Sequence, residues 1–232
     1  MHVPDGFLDA PTSVATGVAA AAVVGVALRG ARRELDDKTA PLTGLVAAFV
    51  FAVQMLNFPV GAGTSGHLLG GALAAVLVGP WTAILCMTVV LAVQALFFAD
   101  GGVTALGTNV TLMGIVTVVV GWVVYRQLLR LLPNRPSSVA VAAFVAALLS
   151  VPASALAFVG LYAVGGTAPV PLSALAAAML GWHVLIGLGE AAITAVTVGS
   201  VMAVRPDLVY GARGYLAAKS LVIRSTSTEA SS

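Results

Sequence analysis

The sequence predicts an all-α fold: a polytopic membrane helix bundle of about seven transmembrane helices, with the N-terminus outside and the C-terminus cytoplasmic. Of its 232 residues, 59% are hydrophobic and 9% are charged, and the mean hydropathy is +1.04. A soluble domain carries about 25% charged residues. The charges also leave three gaps of 61, 25 and 54 residues, which end at Asp100, Arg126 and Glu190. Such stretches suit lipid, because one helical crossing needs about 20 apolar residues.

Charges, prolines and glycines delimit seven apolar segments. The third is short for a crossing and is rich in glycine and alanine, so we expect it to be buried among its neighbours. Pro80 should separate it from the fourth, and Trp81 fits a membrane interface. The seven segments are 12–29, 41–57, 67–79, 81–98, 107–132, 138–165 and 172–204.

The basic residues set the predicted orientation, because cytoplasmic loops of membrane proteins are rich in Lys and Arg. With seven crossings and an outer N-terminus, all eleven Lys and Arg are cytoplasmic, while the outer side carries only Asp5, Asp9 and Asp100. The basic residues form no run, so nucleic-acid binding is not expected. They are Arg29, Arg32, Arg33, Lys38, Arg126, Arg130, Arg135, Arg205, Arg213, Lys219 and Arg224.

The amino terminus has a specific metal chemistry. We expect no signal peptide, because no basic region precedes the first apolar run, and we expect Met1 to be retained because His2 is bulky. In such a terminus the amine, the amide nitrogen of residue 2 and the imidazole Nδ1 can close two chelate rings on one metal ion. Ni(II) and Cu(II) promote the necessary loss of the amide proton most strongly, and Co(II) does so less readily.

His67 can complete this site. It lies in the glycine-rich segment Gly61–Gly71, where irregular backbone is tolerated at membrane depth if it lines a polar cavity. Four nitrogens in a plane suit Ni(II) or Cu(II). The candidate metal ligands are therefore Met1, His2 and His67, and the alternative is an exposed His2 with a structural turn around residue 67.

Other polar residues lie within the apolar segments. Glu190 is the one acid predicted inside the bilayer, which makes it a functional candidate. His183 lies on the same helical face, about 10.5 Å away, so the pair can form a second metal site, a proton relay or a polar cluster. We favour packing or conformational coupling over metal binding. Further residues that could orient the metal ligands are Gln54, Asn57, Ser65, Gln94 and Asn109.

Five blocks of the sequence together resemble one family, that of the CbiM and NikM proteins. Those proteins are substrate-binding membrane subunits of energy-coupling-factor transporters for cobalt and nickel. The resemblance covers residues 1 to about 205. The blocks are Met1-His-Val-Pro-Asp-Gly-Phe7, Gln54-Met-Leu-Asn-Phe-Pro59, Gly63-Thr-Ser-Gly-His-Leu-Leu-Gly-Gly71, Gln94-Ala-Leu-Phe-Phe-Ala-Asp-Gly-Gly102 and His183-Val-Leu-Ile-Gly-Leu-Gly-Glu190.

The resemblance implies an ATP-driven importer component that captures Co(II) or Ni(II) outside and releases it inward. It also implies that the N-terminus folds back into the bundle and that Met1, His2 and His67 hold the metal ion. The implied partners are a transmembrane coupling subunit, two ATP-binding subunits and often a small accessory membrane protein, all in the cell membrane.

This division of labour fits the sequence. The chain has no GxxxxGK[ST] motif, so we expect it to be a transport subunit without its own ATPase site or catalytic residues, and without a permanent cofactor. We expect one transmembrane substrate-binding domain over residues 1–205, which includes a metal-binding segment at residues 1–9. A cytoplasmic, disordered tail should follow over residues 206–232. The alternatives are a passive divalent-metal channel and, less favoured, a metal-dependent intramembrane hydrolase.

Overall fold

The computed structural model describes residues 1–36, 39–61 and 64–214. Seven helices within these ranges build the bundle. A short antiparallel hairpin of β1 (Phe58–Gly61) and β2 (Thr64–Gly66) lies between the second helix and the third. The helices are α1 (Ala10–Ala31), α2 (Thr39–Gln54), α3 (Gly71–Val78), α4 (Pro80–Phe97), α5 (Leu106–Leu131), α6 (Pro136–Gly165) and α7 (Leu172–Val204).

The predicted helical membrane fold is confirmed. Five helices are long and apolar enough to cross a membrane, namely α1, α4, α5, α6 and α7. Helix α2 has 16 residues and α3 has eight. Each predicted segment overlaps one helix, but the count of seven crossings and the outer N-terminus stay predictions. Three of the basic residues behind that orientation, Lys38, Lys219 and Arg224, lie outside the described residues.

The outward faces of the long helices are apolar. Valine and leucine side chains there are more than half exposed, for example Val14 and Val18 on α1, Val164 on α6, and Leu185 and Val196 on α7. Monomeric soluble proteins rarely expose apolar patches of this extent. These faces therefore suit contact with lipid.

Helix α3 lies at the centre of the bundle. All eight of its residues are buried, and it contacts α2, α4, α5, α6 and α7. Small side chains permit this position, because four of its residues are glycine or alanine. The loop that precedes α3, residues 67–70, is consequently held inside the protein.

The predicted joint between the third and fourth segments is confirmed. Helix α3 ends at Val78, Gly79 has a φ of 94°, and Pro80 begins α4. Proline suits the first position of a helix because the N–H it lacks would have no partner there. The buried carboxylate of Glu34 accepts hydrogen bonds from the next two main-chain N–H groups, those of Trp81 at 3.2 Å and Thr82 at 2.7 Å. This carboxylate joins the α1–α2 loop to the start of α4.

The packed chain continues beyond residue 205, the predicted end of the domain. Two short 3-10 turns follow α7, at Pro206–Leu208 and Tyr210–Ala212, and Val209 and Ala212 are fully buried. The rest of the predicted tail, residues 215–232, lies outside the described residues.

Candidate metal site

The first residues of the chain are buried in the bundle. Met1 is 1% exposed and Val3 is fully buried. The main chain of Val3 pairs with the side chain of Asn109, its N–H donating to Oδ1 at 2.8 Å and its carbonyl accepting from Nδ2 at 3.1 Å. The N–H of Gly102 donates to the same carbonyl at 2.9 Å. The loop between α4 and α5 and the first turn of α5 thus hold the amino terminus in place.

A second set of contacts holds the end of this segment against the loop between α6 and α7. The N–H of Asp9 donates to the carbonyl of Gly165 at 2.7 Å, and that of Thr167 donates to the carbonyl of Phe7 at 3.1 Å. The Phe7 ring stacks on that of Phe158, with centroids 5.8 Å apart. Asp9 then caps α1 by accepting from the N–H of Thr12 at 2.9 Å. The segment is therefore anchored at both ends.

His2 lies face to face with His67. Their rings stack with centroids 4.6 Å apart and an interplanar angle of 26°. The Nε2–H of His2 donates to Oε1 of Gln94 at 3.2 Å, so in the neutral ring Nδ1 carries the lone pair. This Nδ1 lies 3.1 Å from Oδ1 of Asp100 but makes no hydrogen bond among the described residues. Asn57 donates to the other oxygen of Asp100 at 2.8 Å.

The orientation of His67 is equally well defined. The residue is fully buried, and its Nδ1–H donates to the carbonyl of Leu68 at 2.8 Å. Its Nε2 therefore carries a lone pair, and this atom has no hydrogen-bond partner in the part of the chain that the structure describes. A histidine that donates one ring N–H to a carbonyl while its other nitrogen stays free has the usual arrangement of a metal-binding imidazole.

The loop that carries His67 is fixed by α7 and α2. Both oxygens of the buried Glu190 carboxylate accept main-chain N–H groups, from Leu69 at 2.6 Å and from Gly70 at 2.9 Å. The amide of Gln54 donates to the carbonyl of Leu69 at 2.6 Å. Gly70 has a φ of 82°, a conformation that favours glycine, as the chain turns into α3.

The electrostatics favour neutral nitrogen donors beside one carboxylate. Burial lowers the pKa of the Met1 amine to about 4, against an opposing effect of the Asp100 charge. Burial acts to raise the pKa of Asp100, but His2, Asn57 and the terminal amine together hold it below its ordinary value. At neutral pH the amine is therefore unprotonated and the carboxylate is charged.

Six of the residues predicted to surround the ligands line the cavity or contact the amino-terminal segment or the loop that carries His67. Asn57 and Ser65 line an open cavity together with His2 and Asp100, while Gln54, Gln94, Asn109 and Glu190 make the contacts given above. The seventh, His183, is fully buried on α7, where its Nδ1–H donates to the carbonyl of Met179 at 2.7 Å.

Sequence reasoning missed two residues. Asp100 was assigned only to the outer side, although its position beside Gly101 and Gly102 in one of the five family blocks was an available signal. Ser154 on α6 lies against the Met1 sulfur at 3.9 Å and donates to the carbonyl of Leu112 at 2.8 Å. A serine inside an apolar segment carries no local signal for this contact.

Side chains alone do not make this a metal site. Within residues 1–36, 39–61 and 64–214, no group of three or more His, Cys, Asp or Glu residues is arranged to hold a metal ion. A site here depends on main-chain nitrogens, namely the terminal amine and the amide of His2, together with two imidazoles.

Known proteins similar to this chain are described as cobalt, nickel or transition metal transport proteins. The family model CbiM, the cobalt uptake substrate-specific transmembrane region, matches residues 2–208. The cobalt transport protein CbiM of Sorangium cellulosum is 35% identical over 218 residues, which are 90% of this chain and 94% of that protein. The fused nickel transport protein NikMN of Rhodobacter capsulatus is 43% identical over 125 residues, which are 54% of this chain and 36% of that one. A crystal structure of a transition metal transporter matches with a TM-score of 0.78 at 33% identity, covering 88% of this chain and 93% of that chain.

Proposed function

Since this chain belongs to the CbiM family of cobalt-uptake transmembrane proteins and is a multi-pass protein of the cell membrane, we propose that it captures Co(II) or Ni(II) at the outer face for import. The proposed ligands are the Met1 amine, the amide nitrogen and Nδ1 of His2, and Nε2 of His67. The metal ion is the transported substrate.

The observation that carries this proposal is a group of buried nitrogen atoms without hydrogen-bond partners. Nδ1 of His2 and Nε2 of His67 belong to stacked rings, and neither has a partner among the described residues. Burying an acceptor without a partner costs about 1–3 kcal/mol each. A bound cation removes this cost.

Asp100 adds a second argument for a cation. Nδ1 of His2 lies 3.1 Å from a carboxylate oxygen of Asp100, so a cation bound to this nitrogen would lie close to a negative charge. The carboxylate would offset part of the positive charge of a metal ion held by the imidazole. The open cavity lined by His2, Asn57, Ser65 and Asp100 provides a route of entry.

Transport against a gradient needs an energy source, and the chain has no GxxxxGK[ST] motif. We therefore assign ATP hydrolysis to two ATP-binding subunits that act through a transmembrane coupling subunit, often with a small accessory membrane protein. In this scheme the chain binds metal outside and releases it inward. The apolar outward faces of the helices leave room for such partners in the bilayer.

Metal titration of purified protein tests the site. One added residue before Met1 should weaken Ni(II) and Co(II) binding by more than about 100-fold, because the amine of Met1 is then no longer a metal ligand. Mutations of residues that only orient metal ligands already reduce metal affinity roughly 10- to 100-fold. His67→Ala should weaken binding to the same extent as the added residue. The matched control is one residue added after Ser232. Binding by the N-terminally extended protein that equals the parent's would refute the amine-anchored site.

A further inference from the structure

A basic cavity lies at the end of the bundle away from the candidate metal site. It has a volume of about 250 Å³ and is lined by three arginines, Arg126 and Arg130 on α5 and Arg135 in the loop between α5 and α6. Asn134 and Ser138 line it as well. The two sites are at opposite ends because the amino terminus contacts the first turn of α5, whereas this cavity borders the last two turns.

The local fold keeps this cavity open. The hydroxyl of Ser138 donates to the carbonyl of Pro133 at 2.6 Å, and the N–H of Ser138 donates to the carbonyl of Arg135 at 3.0 Å. These bonds fix the loop that carries Arg135. Gly211 and Gly214 also line the cavity, and neither has a side chain that could fill it. The chain therefore leaves a space beside the three arginines.

The positive charge of this cavity is not balanced by the described chain. None of its three arginines forms an ion pair with a carboxylate among the described residues, whereas Arg205 at the same end of the bundle pairs with Asp207 at 2.8 Å. Arg130 donates to the neutral amide of Gln127 at 3.1 Å. Unpaired guanidinium groups favour phosphate, because its oxygens can accept parallel N–H bonds from one guanidinium.

An apolar surface leads directly to the cavity. Val119 and Val123 are about half exposed, and the spacings of four, three and four residues place them on one face of α5 with Arg126 and Arg130. The guanidinium of Arg126 lies over the ring of Trp122, 5.7 Å from its centroid, and tryptophan is typical of a membrane interface. A soluble anion has no use for an apolar face, but a lipid has acyl chains that fit it.

We propose that this cavity binds the phosphate group of an anionic phospholipid whose acyl chains lie along Val119 and Val123. A zwitterionic lipid fits less well, because the arginines repel the cation that it carries next to its phosphate. In the predicted orientation the cavity faces the cytoplasmic leaflet, where basic side chains meet anionic head groups. This lipid site is independent of the metal site at the other end of the bundle.

Native mass spectrometry of the purified full chain in a neutral detergent tests the site, with phosphatidylglycerol added in steps. The parent should bind one lipid molecule more tightly than any further ones. Arg130→Gln combined with Arg135→Gln should weaken this first binding about tenfold or more, because even one lost hydrogen bond between charged groups reduces affinity by about that factor.

The matched control is Arg29→Gln combined with Arg205→Gln. It removes the same charge from the same end of the bundle, at the last turn of α1 and after α7, and neither residue lines the cavity. The first lipid should bind to this control within about threefold of the parent, because exposed charges more than about 8 Å away are largely screened at physiological salt. Thermal midpoints without added lipid show that both double variants are folded. If the cavity variant is unstable, Arg130→Gln alone replaces it, with Arg205→Gln as the control.

Competing ligands identify the source of the phosphate. Phosphatidylcholine should bind about tenfold more weakly than phosphatidylglycerol, because it has no net charge to meet the arginines. Inorganic phosphate and glycerophosphate, which lack acyl chains, should not displace the lipid.

Three results would overturn the lipid site. Equal affinities for the two phospholipids would show that the cavity does not select an anionic head group. Equal weakening in the control pair would show that only general surface charge is involved. Displacement by inorganic phosphate as effective as that by added lipid would identify a site for a soluble anion instead.

Discussion

Glu190 provides a direct test of how α7 controls the metal site without touching the metal. Its two oxygens accept the N–H groups of Leu69 and Gly70, two and three residues after His67. Glu190→Gln keeps one acceptor but turns an NH2 group toward the other main-chain N–H. One buried donor is then left without a partner, and the loop can relieve this only by moving.

The expected loss of metal affinity follows from this one N–H group without a hydrogen-bond partner. Leaving a buried N–H unsatisfied costs about 1–3 kcal/mol. If the loop relaxes in the free protein and must return to bind metal, about 2 kcal/mol is taken from the binding free energy. At about 1.4 kcal/mol per factor of ten, the Kd for Ni(II) or Co(II) should rise about 30-fold. Glu190→Ala removes both acceptors and should weaken binding further.

Metal titration measures the expected loss of affinity, and amide hydrogen exchange measures the expected movement of the loop. Binding should weaken as stated, and exchange at Leu69 and Gly70 should accelerate. Thr194→Val, one turn further along α7, should leave both unchanged. Binding within about twofold of the parent, together with unchanged exchange, would refute the positioning role of Glu190.

Two further changes probe other supports of the fold. Gly101→Ala should weaken metal binding, because Gly101 has a φ of 93° and an added Cβ would lie 3.0 Å from Asn109 Nδ2 and 3.1 Å from His2 Cδ2. In the control Gly160→Ala, the new Cβ meets no atom within 4 Å. Equal metal affinities in both variants would contradict the prediction. Glu34→Gln should lower the thermal midpoint, since it orphans one of two main-chain donors at the start of α4 at about 1–3 kcal/mol, while metal affinity at the distant site should be unchanged. An unaltered midpoint would show that water replaces the carboxylate.

The helices could be predicted from the sequence because each has an apolar run with a clear break. The seventh segment, 172–204, coincides with Leu172–Val204, since prolines and the charge of Arg205 bound it on both sides. The third segment was predicted to start at residue 67, whereas α3 begins at Gly71. The difference arises because the side chains of Glu190 and Gln54 form hydrogen bonds with the main chain of residues 69 and 70. The local sequence pattern does not indicate such long-range hydrogen bonds.

The candidate site was predictable to the extent that its chemistry is local. Met1 and His2 are adjacent, so their chelate could be read directly, and Glu190 stood out as an acid within an apolar segment. The partners of these groups could not be read. Glu190 binds main-chain amides, which every residue has, and Asp100 meets His2 across most of the first half of the chain. The packing of α7 against the loop before α3 brings Glu190 to Leu69 and Gly70, and the loop between α4 and α5 brings Asp100 to His2.

The division between local and distant ligands determines how metal binding should couple to folding. The unfolded chain retains the amine, the amide and the imidazole of Met1 and His2, so it also binds metal, and binding to the unfolded state reduces the stabilisation that a ligand confers. What the folded protein adds is Nε2 of His67, held ready by Glu190 and Gln54. Metal-dependent thermal stabilisation therefore measures this folded-state contribution and not the whole affinity. For this reason His67→Ala should abolish most of the stabilisation even where the amino-terminal chelate still binds metal.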